Sequence, residues 1–252
     1  MWNLDGKTAL VTGGTKGIGR ATVKELLSLG AKVIFTSRSQ KDIDDFESEL
    51  QEHSYICNGI VSDVSIEDDQ DRLTDFVFER SGSLDILVNN AGINIRKDAT
   101  HYEPEEYRKI LEINLIAPFE LTRKFYALLK RSGKASVINI ASVAGSQDVK
   151  SGAPYAMSKS GLLQQTRSLA SEWAEHNIRV NSVSPWYTRT PLTTEVLDNE
   201  SRIAKIIERT PLNRVAEPEE MASAIAFLAM DKASYITGQN IIVDGGLSAN
   251  AL

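Results

Sequence analysis

Seven short apolar runs, rich in β-branched residues, recur along the 252-residue chain, with longer stretches of mixed polarity between them. They are KTALVTG (7–13), AKVIFTSR (31–38), YICNGIVSD (55–63), LDILVNNAG (84–92), ASVINIAS (135–142), IRVNSVSP (178–185) and QNIIVDGG (239–246). Most carry apolar residues at successive positions, as strands do when both faces are covered. Such strands belong in a parallel sheet with helices above and below it. The intervening stretches, among them 18–29 and 103–131, read as those helices. Strand–helix alternation predicts a doubly wound α/β fold with right-handed crossovers. No Gly/Ser/Pro-rich linker and no internal repeat divides the chain, so 1–252 is expected to form one domain. The rhythm breaks once. The stretch 186–214 is too long for a tight connection and contains Pro191 and Pro211, which predicts a lid over a ligand site.

The bulk properties exclude several functions. A net charge of −6 and scattered cations argue against nucleic acid. No run approaches ~18 consecutive apolar residues, so no membrane span is expected. No signal peptide is read at MWNLDGKTALVTGG. The single cysteine, Cys57, cannot form an internal disulfide and reads as a small buried hydrophobe. A reducing, cytoplasmic setting is expected. His53, His101 and His176 stand far apart, and no metal site is expected from them.

The first strand candidate runs into TGGTKGIG. Gly13, Gly17 and Gly19 follow G-x-x-x-G-x-G spacing, with Thr15, Lys16 and Ile18 among them. A glycine turn at a strand–helix junction brings backbone N–H groups and the positive end of the helix dipole up to a ligand. A pyrophosphate is the expected occupant, and a plain connecting turn is the alternative. In dinucleotide sites an acid roughly twenty positions further on often holds the ribose hydroxyls. Here the second strand ends in Ser37 and Arg38 instead. Arginine suits a 2′-phosphate that a carboxylate would repel, and Lys16 adds a second cation. NADP(H) is therefore favoured, unless Arg38 is merely a solvated strand end. Asp63 and Val64 close the third strand, and Asn90, Ala91 and Gly92 close the fourth, at the same rim.

YAMSK places Lys159 four residues after Tyr155, on one face of a helix. Tyr126 and Lys130 share that spacing, so spacing alone decides nothing. The difference lies in the surroundings. Ser142 precedes Tyr155 by thirteen residues and ends the fifth strand candidate, whereas Ile113 holds that place before Tyr126.

Ser142 with YAMSK, TGGTKGIG and NNAG resemble the short-chain dehydrogenase/reductase family, in order and over almost the whole chain. The resemblance implies a Rossmann-type domain with a seven-stranded parallel sheet, a nicotinamide cofactor, and a homo-oligomer, tetramer or dimer. It implies Tyr155 as acid/base, Lys159 beside it and on the nicotinamide ribose, Ser142 on the substrate oxygen, and Asn114 as a relay post. The alternative for Asn114 is a side chain satisfied within its own helix. The chemistry is coherent. A free phenol has pKa about 10, and a neighbouring ammonium favours phenolate, bringing the group toward neutral pH.

Family members usually have glycine after IRVNSVSP, where this chain has Trp186. Pro185–Trp186 is similar to the tropinone-reductase-like branch. Thr188 and Thr190 match positions where the family holds the nicotinamide carboxamide, and Pro185 is expected at the cofactor as well. Trp186, Tyr187, Leu192 and Val196 either line an apolar substrate pocket or pack the lid. The expected reaction is NADP(H)-dependent interconversion of a cyclic or hydrophobic ketone and its secondary alcohol. Alternatives are 3-oxoacyl-carrier-protein reduction, which needs a cationic docking surface, and a non-catalytic dinucleotide sensor.

Overall fold

The computed structural model describes residues 2–51 and 55–250, and His53 lies outside the described residues. The elements follow in the order β1 (Thr8–Val11), α1 (Gly17–Ser28), β2 (Lys32–Ser37), α2 (Gln40–Gln51), β3 (Cys57–Val61), α3 (Glu67–Ser81), β4 (Ile86–Asn89), α4 (Pro104–Leu111), α5 (Ala117–Lys124), α6 (Tyr126–Ser132), β5 (Ala135–Ile140), α7 (Ala153–Trp173), β6 (Ile178–Pro185), α8 (Thr194–Leu197), α9 (Glu200–Glu208), α10 (Pro218–Ala229) and β7 (Asn240–Val243). The seven strands form one sheet in the order β3-β2-β1-β4-β5-β6-β7. Every pairing is parallel. Winding reverses between β1 and β4, and a crevice opens at the carboxyl ends of strands where such a reversal occurs.

Both faces of the central strands are buried. Ala9 and Val11 of β1 and Ile86 and Val88 of β4 pack into the core shared with α1, α2 and α10. Leu10 and Leu87 point the other way, into the core with α3, α5 and α7. Edge strand β3 is covered less completely, so Cys57 is half-buried rather than fully buried as its sequence suggests. Burial nevertheless pushes its thiol pKa up.

The stretch 103–131 is not one helix. A π-helical turn at Glu112–Ile116 separates α4 from α5, and Phe125 separates α5 from α6. Pro118 explains the first break. It has no N–H for the Asn114 carbonyl four residues back, and its ring crowds that carbonyl. The Ala117 N–H reaches back to Glu112 instead, one residue further than an α-helix allows. Tyr126 faces Trp173 and His176, with ring centroids 4.9 and 5.8 Å away, so the second Tyr–Lys pair is a packing element.

The stretch 186–214, expected to be a lid and so termed below, contributes to its own small core. Val196, Leu197, Ile206 and Val215 pack with Trp186 and Tyr187. The Trp186 indole N–H donates to Thr210 Oγ1 at 3.0 Å, tying the start of the lid to the second residue beyond α9.

Candidate active site

A cleft of about 880 Å³ crosses the carboxyl ends of the strands, from the end of β2 past the glycine turn to the start of α7 and the lid. All but three of the candidate cofactor, catalytic and pocket residues read from the sequence line it, the exceptions being Gly19, Asn114 and Val196.

Gly17 has φ +52, and a Cβ there would lie 3.1 Å from Thr190 Cβ. The turn therefore meets the lid directly, and only glycine keeps the passage open. Gly19 serves packing instead. A Cβ there would lie 2.2 Å from the Gly13 carbonyl oxygen and 2.4 Å from Asn90 Nδ2. Asn90 ties the turn to β4, donating from Nδ2 to the carbonyls of Thr12 (2.8 Å) and Gly13 (3.1 Å). Thr12 completes this clamp, its hydroxyl accepting the N–H groups of Asn90 and Ala91, each at 3.0 Å.

At the end of β2, Arg38 is exposed and lies 3.8 Å from an Asp63 carboxylate oxygen. Lys16 pairs with Asp42 at 2.7 Å, which draws the Asp42 pKa down. Both cations therefore face the cleft but carry acidic neighbours. Ser39 also lines this end, and its hydroxyl accepts the Asp42 N–H in the first turn of α2.

At the other end, α7 presents Tyr155 and Lys159 from adjacent turns of one face. The Ser142 hydroxyl accepts the Ala144 N–H at 3.1 Å. With a lone pair so occupied, its own proton is left for another acceptor. The Lys159 ammonium is buried, donates to the Ile140 carbonyl at 2.8 Å, and lies 5.6 Å from the Tyr155 ring centroid. Burial pushes its pKa down to about 8. Here the electrostatics differ from expectation. Burial pushes the Tyr155 phenol up. Opposing it are a hydrogen bond with Ser142 and, less strongly, the positive charge of Arg96, while Tyr187 adds to the rise. The protein alone thus keeps the phenol protonated through neutral pH. A positive charge beside the ring, as in an oxidised nicotinamide, is needed to favour the phenolate.

Asn114 is wholly buried beneath this site. Its Oδ1 accepts the Ile93 N–H at 2.9 Å, and its Nδ2 donates to the Ile93 carbonyl at 2.8 Å. The side chain is thus satisfied across a chain crossing, not within its own helix. It fixes the segment after β4 against the π-helical turn.

Trp186, Tyr187 and Leu192 line the cleft, and Trp186 and Tyr187 also pack against the buried cluster of Val196, Leu197, Ile206 and Val215. Val196 is withdrawn into the lid core and does not reach the cleft. Thr193, overlooked in the sequence, holds the turn beneath Thr188 and Thr190 by donating to their carbonyls at 2.6 and 3.0 Å. Arg96 was also missed. It lines the Tyr155 end of the cleft, and its Nε is buried without a hydrogen-bond partner among the described residues. No local pattern marks it, because it reaches the site only by the path of the loop after β4.

Residues 13–248 match a family model described as enoyl-(acyl carrier protein) reductase. The chain belongs to the short-chain dehydrogenase/reductase family. Among these oxidoreductases it is 46% identical to a tropinone reductase homolog of Arabidopsis thaliana, over 99% of this chain and 95% of that one. It is 43% identical to a tropinone reductase homolog of Datura stramonium, over 99% and 94%. Among solved structures it resembles a gluconate 5-dehydrogenase from Burkholderia cenocepacia in complex with NADP and tartrate. That match has TM-score 0.95 and 29% identity, covering 99% of this chain and 98% of that one. A short-chain type dehydrogenase/reductase from Mycobacterium marinum matches with TM-score 0.93 and 30% identity, over 99% and 98%. No described helix is long and apolar enough to cross a membrane.

Proposed function

We propose that this protein is an NADP(H)-dependent carbonyl reductase that interconverts a ketone and its secondary alcohol. One observation carries the reading: Ser142, Tyr155 and Lys159 line the same cleft as the glycine turn and the Ser37–Arg38 strand end. The residues fit a dinucleotide. Gly13 and Gly17 take the positive φ angles of a tight turn, Ser37, Arg38 and Lys16 suit the 2′-phosphate, and Thr188 and Thr190, in the same cleft, suit the nicotinamide carboxamide. The NADP in the gluconate 5-dehydrogenase complex is consistent with that choice.

When bound, the nicotinamide supplies or accepts the hydride. Ser142 donates to the carbonyl oxygen and orients it. Tyr155, kept protonated by burial, delivers its proton to that oxygen as negative charge develops. The Lys159 ammonium then stabilises the phenolate. Its bond to Ile140 holds it in place, below α7 rather than swinging in solvent. Asn114 acts by positioning, through Ile93.

Trp186, Tyr187 and Leu192 offer an apolar wall to the ketone's body. The names of the tropinone reductase homologs support a compact cyclic ketone. A cytoplasmic homo-oligomer completes the reading. The test is a ketone panel followed by NADPH absorbance, with Tyr155→Phe as control. Ketone-dependent oxidation of NADPH that disappears in the variant supports the assignment. Equal rates in both proteins overturn it.

A further inference from the structure

A second cavity, of about 670 Å³, adjoins the cleft, and Arg96, Val149, Trp186 and Tyr187 line both. It therefore opens from the substrate end and not from the cofactor end. Its floor includes Val196 and Ile206 from the lid core. Its rim is cationic. Arg96, Lys97, Lys150, Arg202, Lys205 and Arg209 surround it, against only two acids among the described residues, Asp98 and Asp148.

This concentration is unusual for a chain of net charge −6. Arg202, Lys205 and Arg209 follow one another at helical spacings of three and four, so they stack on one face of α9 and its last turn. Like charges so placed repel one another and weaken the helix. No ion-pair partner relieves them among the described residues, and none relieves Arg96 or Lys150. Lys97 alone is neutralised, by Glu106 at 2.7 Å. Asp148 accepts the Lys150 backbone N–H, and Asp98 lies 3.9 Å from His101, so neither acid is set against the α9 cations. Arg96, on the wall between the two cavities, holds a buried Nε with no partner among the described residues.

We propose that this annex receives an anionic group carried by the substrate: a carboxylate or phosphate, attached to the apolar body whose carbonyl lies at Tyr155. The inference rests on the reading of the cleft as a carbonyl-reducing site and adds the substrate's charge. An anion there relieves the repulsion on α9 and supplies acceptors for Arg96. Trp186 and Tyr187 clasp the neutral ring between the two ends. A cationic mouth also draws anionic substrates in, with a rate that falls as salt rises.

Four ketones sharing one ring test it: cyclohexanone, 4-oxocyclohexanecarboxylate, its methyl ester, and 4-oxocyclohexyl phosphate. We expect at least tenfold higher kcat/KM for an anionic ketone than for the ester at low salt, in line with a charge-assisted hydrogen bond. That advantage should shrink in 0.5 M NaCl. The higher of the carboxylate and phosphate values identifies the preferred anion. In the triple variant R202Q/K205Q/R209Q the ratio of anionic ketone to ester should fall tenfold or more. NADPH binding by fluorescence verifies that the variant is folded. Reduction of the ester and of both anions with equal kcat/KM overturns the annex while leaving the carbonyl-reductase reading intact. Reduction of none of the four overturns the reading of the cleft, and the inference with it. Should the triple variant fail to bind NADPH, the single variant R96Q must show the same fall in ratio. An unchanged ratio there also overturns it.

Discussion

The Nζ of Lys159 donates a 2.8 Å hydrogen bond to the carbonyl oxygen of Ile140, at the last position of β5. A buried ammonium is thus held against the sheet by a backbone dipole, next to the phenol it is proposed to assist. Such a cation is costly to bury.

That cost can be measured. Burial moves the Lys159 pKa from 10.5 to about 8, a displacement worth about 3 kcal/mol. The folded pKa lies below the unfolded one, so between those values the unfolded chain binds more protons and wild-type stability rises with pH. Below pH 8 the full penalty is present. Lys159→Met removes it and loses one hydrogen bond, worth about 1 kcal/mol. The variant should be more stable at pH 7 by about 1–2 kcal/mol, with the gain fading toward pH 10, while turnover is abolished. Urea unfolding at several pH values, with activity assays alongside, checks both halves.

Tyr155→Phe should lower kcat by about 10²–10⁴-fold while NADPH binding persists. Because burial pushes the phenol up, the acid form prevails through neutral pH. Ketone reduction should therefore be flat at neutral pH and fall once Lys159 loses its proton near pH 8. Alcohol oxidation needs the phenolate and should rise from neutral pH toward 8. Opposite trends in the two pH profiles are the expected outcome.

Arg38→Asp should reverse the cofactor preference. Loss of a charge-assisted contact to the 2′-phosphate corresponds to about 10–100-fold in the NADPH/NADH ratio of kcat/KM. The weak pair with Asp63, at 3.8 Å and in solvent, offers little resistance to the change. An unmoved ratio would show that Lys16 and the serines suffice.

Thr210→Val removes the acceptor of the Trp186 indole N–H and the donor to the Ile206 carbonyl. The lid should loosen. Faster proteolysis within 186–214 and a raised KM for the ketone are expected, with cofactor affinity little changed. Lys130→Ala, at the packing pair, should leave the chemical step as it is.

The elements legible in advance were those specified by neighbours in the chain. Tyr155 and Lys159 share a face because a helix repeats every 3.6 residues. The seven strands are readable because burial on both faces demands unbroken apolar runs, and the glycine turn because a close approach requires the missing Cβ at Gly17. Even the break in 103–131 had a local sign, Pro118 four residues after Asn114. What no neighbour could specify depends on chain crossings. Cys57 is half-buried because β3 sits at the sheet edge, a matter of strand order. Asn114 finds its partner in Ile93, and Arg96 comes to line one cavity with the α9 cations, across loops whose paths follow from packing. Six of the basic residues that look scattered along the chain gather around one cavity only after folding, because charge acts through distance in space and not through separation in sequence.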